Sequence, residues 1–179
     1  MADHLMAAKE YLEAFRNGCL LNIVACSRTK IWNKRPDACK TVPARRAYDG
    51  GMFKQGAQCF EDLKRRFDRE PPWYVLSAKY GFLEPDQEIG DYNVSFSNTS
   101  DRERVVSQDV LMKQWEEKHM EQYAVLFVWG GSAYVERIKR LTETGGKKIE
   151  HFFAPADGLP IGKALKALRD FRTALSALA

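Results

Sequence analysis

The stretch Ser77-Ala-Lys-Tyr-Gly-Phe-Leu-Glu-Pro-Asp-Gln-Glu-Ile-Gly-Asp-Tyr-Asn93 brings lysine, tyrosine and four carboxylates together directly after an apolar run. A carboxylate in such a loop can stabilise the cation that develops on a sugar as an N-glycosidic bond breaks, or it can hold the attacking water. A lysine beside it can bind phosphate, lower the carboxylate's pKa, or attack a sugar carbon as an amine. Tyrosine supplies a face for stacking and asparagine an amide that both donates and accepts, which are the two needs of base recognition. Asp91, Asp86 and Lys79 are therefore the catalytic candidates, with Ser77, Tyr80, Tyr92 and Asn93 around the substrate. Plainer roles stay open: Asp86 follows Pro85 as a turn residue would, Glu84 and Glu88 suit solvent, and Ser77 suits a strand serine bonded to backbone.

A second polar group follows another apolar run. Ser27, Thr29 and the backbone of the segment Cys26-Ser-Arg-Thr-Lys30 can bind a phosphate or a base edge, and Lys30 can neutralise an anion. The segment lacks the glycines of a phosphate loop. It runs into a long irregular stretch to about residue 44 containing Trp32, Pro36 and Pro43, and a loop of that length is more often functional than idle. From residue 28 to residue 66 there are eleven Lys or Arg against four acids, in a chain whose net charge is only +4. That local excess is a candidate footprint for a polyanion, although a solvated face also explains it. Arg28, Trp32, Lys34, Arg35, Arg45 and Arg46 are the candidate nucleic-acid contacts, and Tyr48 joins the substrate-binding set. Gly130 and Gly131, between Trp129 and Ser132, let a ligand approach the backbone or simply make a tight turn. Asp157 is a further carboxylate in a loop before the last helix.

These groups need elements to position them. Four short apolar runs, at residues 19–26, 73–78, 124–130 and 147–153, read as strands, and the second and third are continuous enough to be covered on both faces. Between them lie helical patterns. Residues 4–16 carry Leu5, Ala8, Leu12 and Phe15 on one stripe, and Phe53, Ala57, Phe60, Leu63 and Phe67 form another. Residues 100–120 and 132–141 read as helices, the latter capped by Ser132, and a last amphipathic helix runs through Ile161, Leu165, Leu168, Phe171 and Leu175. The alternation predicts an α/β, doubly wound, three-layer domain around a central four-stranded parallel sheet. In such domains ligands bind beyond the carboxyl ends of the strands, where the loops above lie.

Length and composition bound the rest. A chain of 179 residues fits one domain. The charged residues scattered through the first seventeen positions exclude a signal peptide, and no run reaches membrane-spanning length, so a cytoplasmic protein is expected. Cysteines at 19, 26, 39 and 59 show no Cys-x-x-Cys pair, and the three histidines do not cluster with them, so neither a metal, a cofactor nor a disulfide is expected.

Several motifs together resemble a known group. Cys26-Ser-x-Thr-Lys30, Pro43-Ala-Arg-x-x-Tyr48, Leu76-Ser-Ala-Lys-Tyr-Gly-Phe-Leu83 with Pro85-Asp86 and Tyr92, Trp129-Gly-Gly131 and Gly158-Leu-Pro-Ile-Gly162 are similar to a bacterial and phage domain family without assigned function. That family resembles the uracil-DNA glycosylase superfamily and a domain of archaeosine-type tRNA-modifying enzymes. The resemblance covers residues 20–162 and implies a small α/β domain with a parallel four-stranded sheet. Some similar proteins excise glucosylated hydroxymethylcytosine from phage DNA in antiphage defence. The Gly-Gln-Asp-Pro-Tyr-His and His-Pro-Ser-Pro motifs of standard uracil-DNA glycosylases are absent, so their catalytic residues do not carry over.

The expectation is a monomeric, monofunctional DNA glycosylase that flips a modified pyrimidine and leaves an abasic site. Asp91 or Asp86 would act on the sugar cation or water, Lys79 and Lys30 on phosphate or the leaving base, and Trp32, Tyr48, Tyr80 or Tyr92 would stack. Two alternatives remain at this stage: a nucleic-acid-binding module without chemistry, and an enzyme acting on a free nucleoside or 7-deazapurine.

Overall fold

Pairing the apolar runs in one sheet takes their hydrophobic side chains out of water. A computed structural model describes residues 2–98, 104–144 and 149–178. In chain order the elements are α1 (Ala2–Asn17), β1 (Leu20–Ala25), α2 (Ile31–Lys34), β2 (Thr41–Pro43), α3 (Ala44–Ala47), α4 (Gly51–Phe67), β3 (Trp73–Ser77), β4 (Gly81–Leu83), β5 (Glu88–Gly90), α5 (Gln108–Glu117), β6 (Val125–Trp129), α6 (Ser132–Thr144), β7 (His151–Phe153) and α7 (Ile161–Leu178). The main sheet has the order β4-β3-β1-β6-β7. β1 pairs in parallel with both β3 and β6, and β6 with β7, so all four predicted runs share one parallel sheet.

Alternation along β1 divides the core. Leu20 and Val24 pack with residues of α1, α4 and α7, such as Tyr11, Phe60 and Phe171. Leu21 and Ile23 point the other way, among Leu111 and Trp115 of α5 and Val135 and Ile138 of α6. Helices therefore cover both faces. Asn22 lies within the first layer and is fully buried. Its Oδ1 accepts from Tyr11 Oη at 2.9 Å and from Trp129 Nε1 at 3.0 Å, so the one polar side chain of β1 knits a helix and a second strand to it.

The sheet departs from the expected four strands by an antiparallel edge strand. β4 runs back along β3, pairing Ser77 with Gly81 and Val75 with Leu83. Ser77 Oγ accepts from the amides of Lys79 (3.2 Å) and Tyr80 (3.1 Å), and Gly81 takes φ +75°, which together fold the tight reversal. Gln114 of α5 clamps it, donating to the Tyr80 carbonyl and accepting from the Phe82 amide.

The stretch expected to be irregular up to residue 44 instead holds α2, β2 and α3, and β2 pairs antiparallel with β5. The acid-rich loop is thus partly a second small sheet. The helix expected over 100–120 begins at Gln108, where Ser107 Oγ accepts from the Val110 amide; residues 100–103 of that expectation lie outside the described residues. Of the strand expected over 147–153, His151–Phe153 is observed, and residues 147–148 lie outside the described residues. Among the described residues no helix is long and apolar enough to cross a membrane.

Candidate functional site

The carboxyl ends of β1 and β6 open onto two adjoining clefts. The first, about 360 Å³, is lined by Cys26, Ser27, Arg28, Lys30, residues 93–95, Ser97, Asn98 and Tyr134. The second, about 310 Å³, shares Cys26, Ser27, Ser97 and Tyr134 and extends past Gly50, Gly131 and Ser132. Each lies at the lower end of the size usual for a small-ligand site.

Lys30 is the unusual group. It is only 3% exposed, yet it lines the first cleft. Its backbone bridges to Tyr48, and its amide donates to Asn33 Oδ1 at 2.7 Å, which fixes where the side chain leaves the chain. Nζ lies 4.2 Å from the Tyr92 ring centroid and donates a long bond of 3.4 Å to the Arg28 carbonyl. Burial holds its pKa below the ordinary lysine value, partly opposed by its neighbours Cys26 and Asp91. Asp91 itself is exposed, two positions before the cleft-lining Asn93, with Oδ1 accepting from the Tyr92 amide.

Beneath Lys30 the floor is a chain of hydroxyls. Tyr92 Oη lies 2.8 Å from both Tyr48 Oη and Ser77 Oγ. Burial, the largest cause in each case, raises the pKa of Tyr48 and of Tyr92, so both remain neutral hydroxyls. These three side chains are enclosed, Ser77 completely, Tyr48 at 4% exposure and Tyr92 at 7%. They correct the expectation of Tyr48 and Tyr92 as stacking platforms: their rings carry the floor and orient Lys30. Tyr80, half-buried and edge-on to Tyr92, and Trp32, whose Nε1 donates to the Cys39 carbonyl, keep partly open rings.

Other expected residues are placed as follows. Lys79 is exposed, its amine 4.8 Å from the Tyr80 centroid and 5.7 Å from that of Tyr92, so two lysines flank one tyrosine. Ser27 spends its hydroxyl inside its own loop, donating to the Thr29 carbonyl and accepting from the Gly50 amide. A Cβ at Gly50 would meet Ser27 Cβ at 2.3 Å, so the α4 start and the β1 loop are fitted against each other. Gly130 is buried, with a virtual Cβ 2.8 Å from Ala25 Cβ, which makes it a packing glycine, whereas Gly131 lines the second cleft. Asp157 is tied to Lys139 at 3.0 Å.

Asp86 is a correction. The β3–β4 reversal carries it back toward the amino end of β3, where Arg45 binds it (Nε–Oδ1 2.7 Å) and also Glu70, which accepts from Trp73 Nε1. Asp86 and Arg45 therefore form an ion-pair cluster at the opposite end of β3 from the clefts, and Arg45 leaves the set of candidate nucleic-acid contacts. Lys34 pairs with Asp49, while Arg28, Arg35 and Arg46 are exposed. Glu84 pairs with Lys118.

Tyr134 and Cys26 went unassigned in the sequence reading. Tyr134 Oη lies 3.2 Å from the Cys26 carbonyl and 3.3 Å from its Sγ, at the wall shared by the two clefts. The signal was available: Tyr134 stands in the first turn of the helix that follows β6, at the carboxyl edge. Phe96 packs edge-on against Tyr134 and under Arg137, anchoring the segment that carries Asn93, Ser95 and Ser97.

Fold and site together define an α/β protein with a mostly parallel five-stranded sheet and a polar, lysine-bearing cleft beyond its strand ends. The chain belongs to the family of unknown function DUF6884, whose model matches residues 21–170. It is 34% identical over 115 residues, covering 64% of this chain and 71% of the relative, to the uncharacterized protein YfjM of Bacillus subtilis (strain 168). No solved structure matches it.

Proposed function

We propose that this protein is a DNA glycosylase of the uracil-DNA glycosylase-like, doubly wound type, which flips a modified pyrimidine into the first cleft and leaves an abasic site. The substrate in this reading is phage DNA carrying a decorated cytosine such as glucosylated hydroxymethylcytosine, and the enzyme acts in the cytoplasm as a monomer. The observation that carries it is the meeting of Lys30, Asn93 and Tyr134 around a cleft of about 360 Å³, with Asp91 two residues from Asn93 and Arg28 at the wall. A cleft of that size suits one base with its sugar.

Of the two candidate carboxylates Asp86 and Asp91, Asp91 is the one near this end, and its charge acts on Lys30. It opposes the positive charge that grows at C1′ as the glycosidic bond breaks, or holds the water that attacks there. Asn93 reads polar groups of the base or its decoration, and Tyr80 or Trp32 offers the stacking face. Arg28 and Arg35 meet phosphates. The test exposes DNAs containing cytosine, hydroxymethylcytosine or glucosylated hydroxymethylcytosine to the pure protein and counts abasic sites with an aldehyde probe. The reading expects sites in one modified DNA; none in any of the three would end it.

One observation favours a second reading, a binding module without chemistry. Glu84 and Asp86 are occupied by Lys118 and Arg45, so much of the acidic loop serves the fold. Tight, salt-sensitive binding of modified DNA with no abasic sites would select that reading.

A further inference from the structure

Lys30 differs from the other buried or paired lysines in what it lacks. Lys34, Lys54, Lys113, Lys118, Lys139 and Lys166 each pair with a carboxylate, whereas Lys30, although nearly enclosed, has no carboxylate within salt-bridge distance among the described residues. Burying an amine without a counter-ion is costly, and a fold that needed only bulk there would be served by methionine. The amine is instead held in a fixed place. The Tyr92 ring lies under it, the Arg28 carbonyl accepts one long N–H bond from it, and Tyr92 is pinned by Tyr48 and Ser77. Lys30 is also one of the residues that line the first cleft.

We propose that Lys30 Nζ is an imine-forming nucleophile that condenses with the C1′ aldehyde of an abasic deoxyribose held in the first cleft. The substrate rests on the glycosylase reading, but the step is the protein's own second reaction. The neutral amine adds its lone pair to C1′ and the carbonyl π pair moves to oxygen, which is protonated to give a carbinolamine. Loss of water forms the protonated imine. A base, the role this proposal gives Asp91, then removes a C2′ proton; the electron pair moves into a C2′–C3′ double bond and the C3′–O bond breaks, releasing the 3′ phosphate with its pair. Water hydrolyses the unsaturated imine and returns the amine, so no oxidant or reductant enters. Lowered basicity from burial keeps more of the amine in its nucleophilic form at neutral pH than an exposed lysine would have. Lys79, exposed and 5.7 Å from the Tyr92 centroid, is the competing amine.

The test uses the unmodified full chain and an oligonucleotide carrying a preformed abasic site, so no base has to be excised first. Cyanoborohydride reduces any imine to a stable secondary amine, and peptide mass spectrometry locates it. The expected adduct sits on Lys30, exceeding any other lysine by about tenfold or more, and Lys30→Arg removes it. An adduct spread over surface lysines or centred on Lys79, or none at all, overturns the proposal. Base release from modified DNA is measured in parallel: release without a Lys30 adduct sinks this step alone, and a Lys30 adduct without release sinks the glycosylase reading while leaving an abasic-site lyase.

Discussion

At the scale of single residues, burial separates groups that look alike in the sequence. Lys30 and Lys79 both leave strands at the crevice end, but only Lys30 is desolvated, and that sets a pH signature. Because its folded pKa lies below the ordinary 10.5, the native state binds that proton less tightly than the unfolded chain. Stability from this group is therefore full above the unfolded pKa and is lost as pH falls through the folded one. Lys30→Met is expected to raise the denaturation midpoint at neutral pH, with the gain shrinking toward the alkaline end; a midpoint lower than wild type at every pH would contradict the account. Tyr92→Phe probes the floor. It leaves the buried Tyr48 hydroxyl without its 2.8 Å partner, a loss of about 1–3 kcal/mol in denaturant unfolding. An unchanged midpoint would mean the hydroxyl chain is decorative.

At the scale of elements, two joints hold the clefts in place. Asn22 ties β1 to α1 and β6, and Asn22→Leu strands the Tyr11 and Trp129 donors, which should destabilise by about 2–5 kcal/mol in chemical denaturation. A loss under about 0.5 kcal/mol would show that the two donors find other partners. The β3–β4 reversal decides where the acidic loop goes. Gly81 sits at φ +75° and a Cβ there would come 2.0 Å from Gln114 Oε1, so Gly81→Ala combines left-handed strain of about 1–2 kcal/mol with a displaced clamp. It is expected to lower stability and shift Tyr80, which a change in tyrosine fluorescence or amide exchange at residues 79–82 would report.

At the scale of the whole molecule, β1, β3 and β6 were legible because apolar runs buried along nearly their whole length leave a continuous signal, whereas β7 is only partly buried and was expected from the Phe152-Phe153 pair that ends the run 147–153. β2, β4 and β5 were not, since a three-residue strand is defined by its partner and not by its own composition. The misplacement of Asp86 follows directly: reading residues 77–93 as one loop at one end of the sheet missed the reversal that carries its middle to the other end. Lys30 was visible as a cation, but its enclosure by Tyr92 and the Tyr48 bridge depends on contacts eighteen and more residues away, beyond any local pattern. The same geography sorts the basic residues. Arg28→Ala with Arg35→Ala should reduce the slope of log DNA affinity against log salt by about 2, whereas Arg45→Ala, which breaks the pairs to Glu70 and Asp86, should act on stability and leave the slope alone.

The most direct measurement is single-turnover base release, followed by mass spectrometry, on the modified DNA that yields abasic sites, comparing wild type with Asp91→Asn and Asp86→Asn. The account predicts that Asp91→Asn slows release by about 10²-fold or more while remaining folded, and that Asp86→Asn stays within a few-fold of wild type. Equal losses for both, or full activity in Asp91→Asn, would contradict the placement of the chemistry in the cleft beside Lys30.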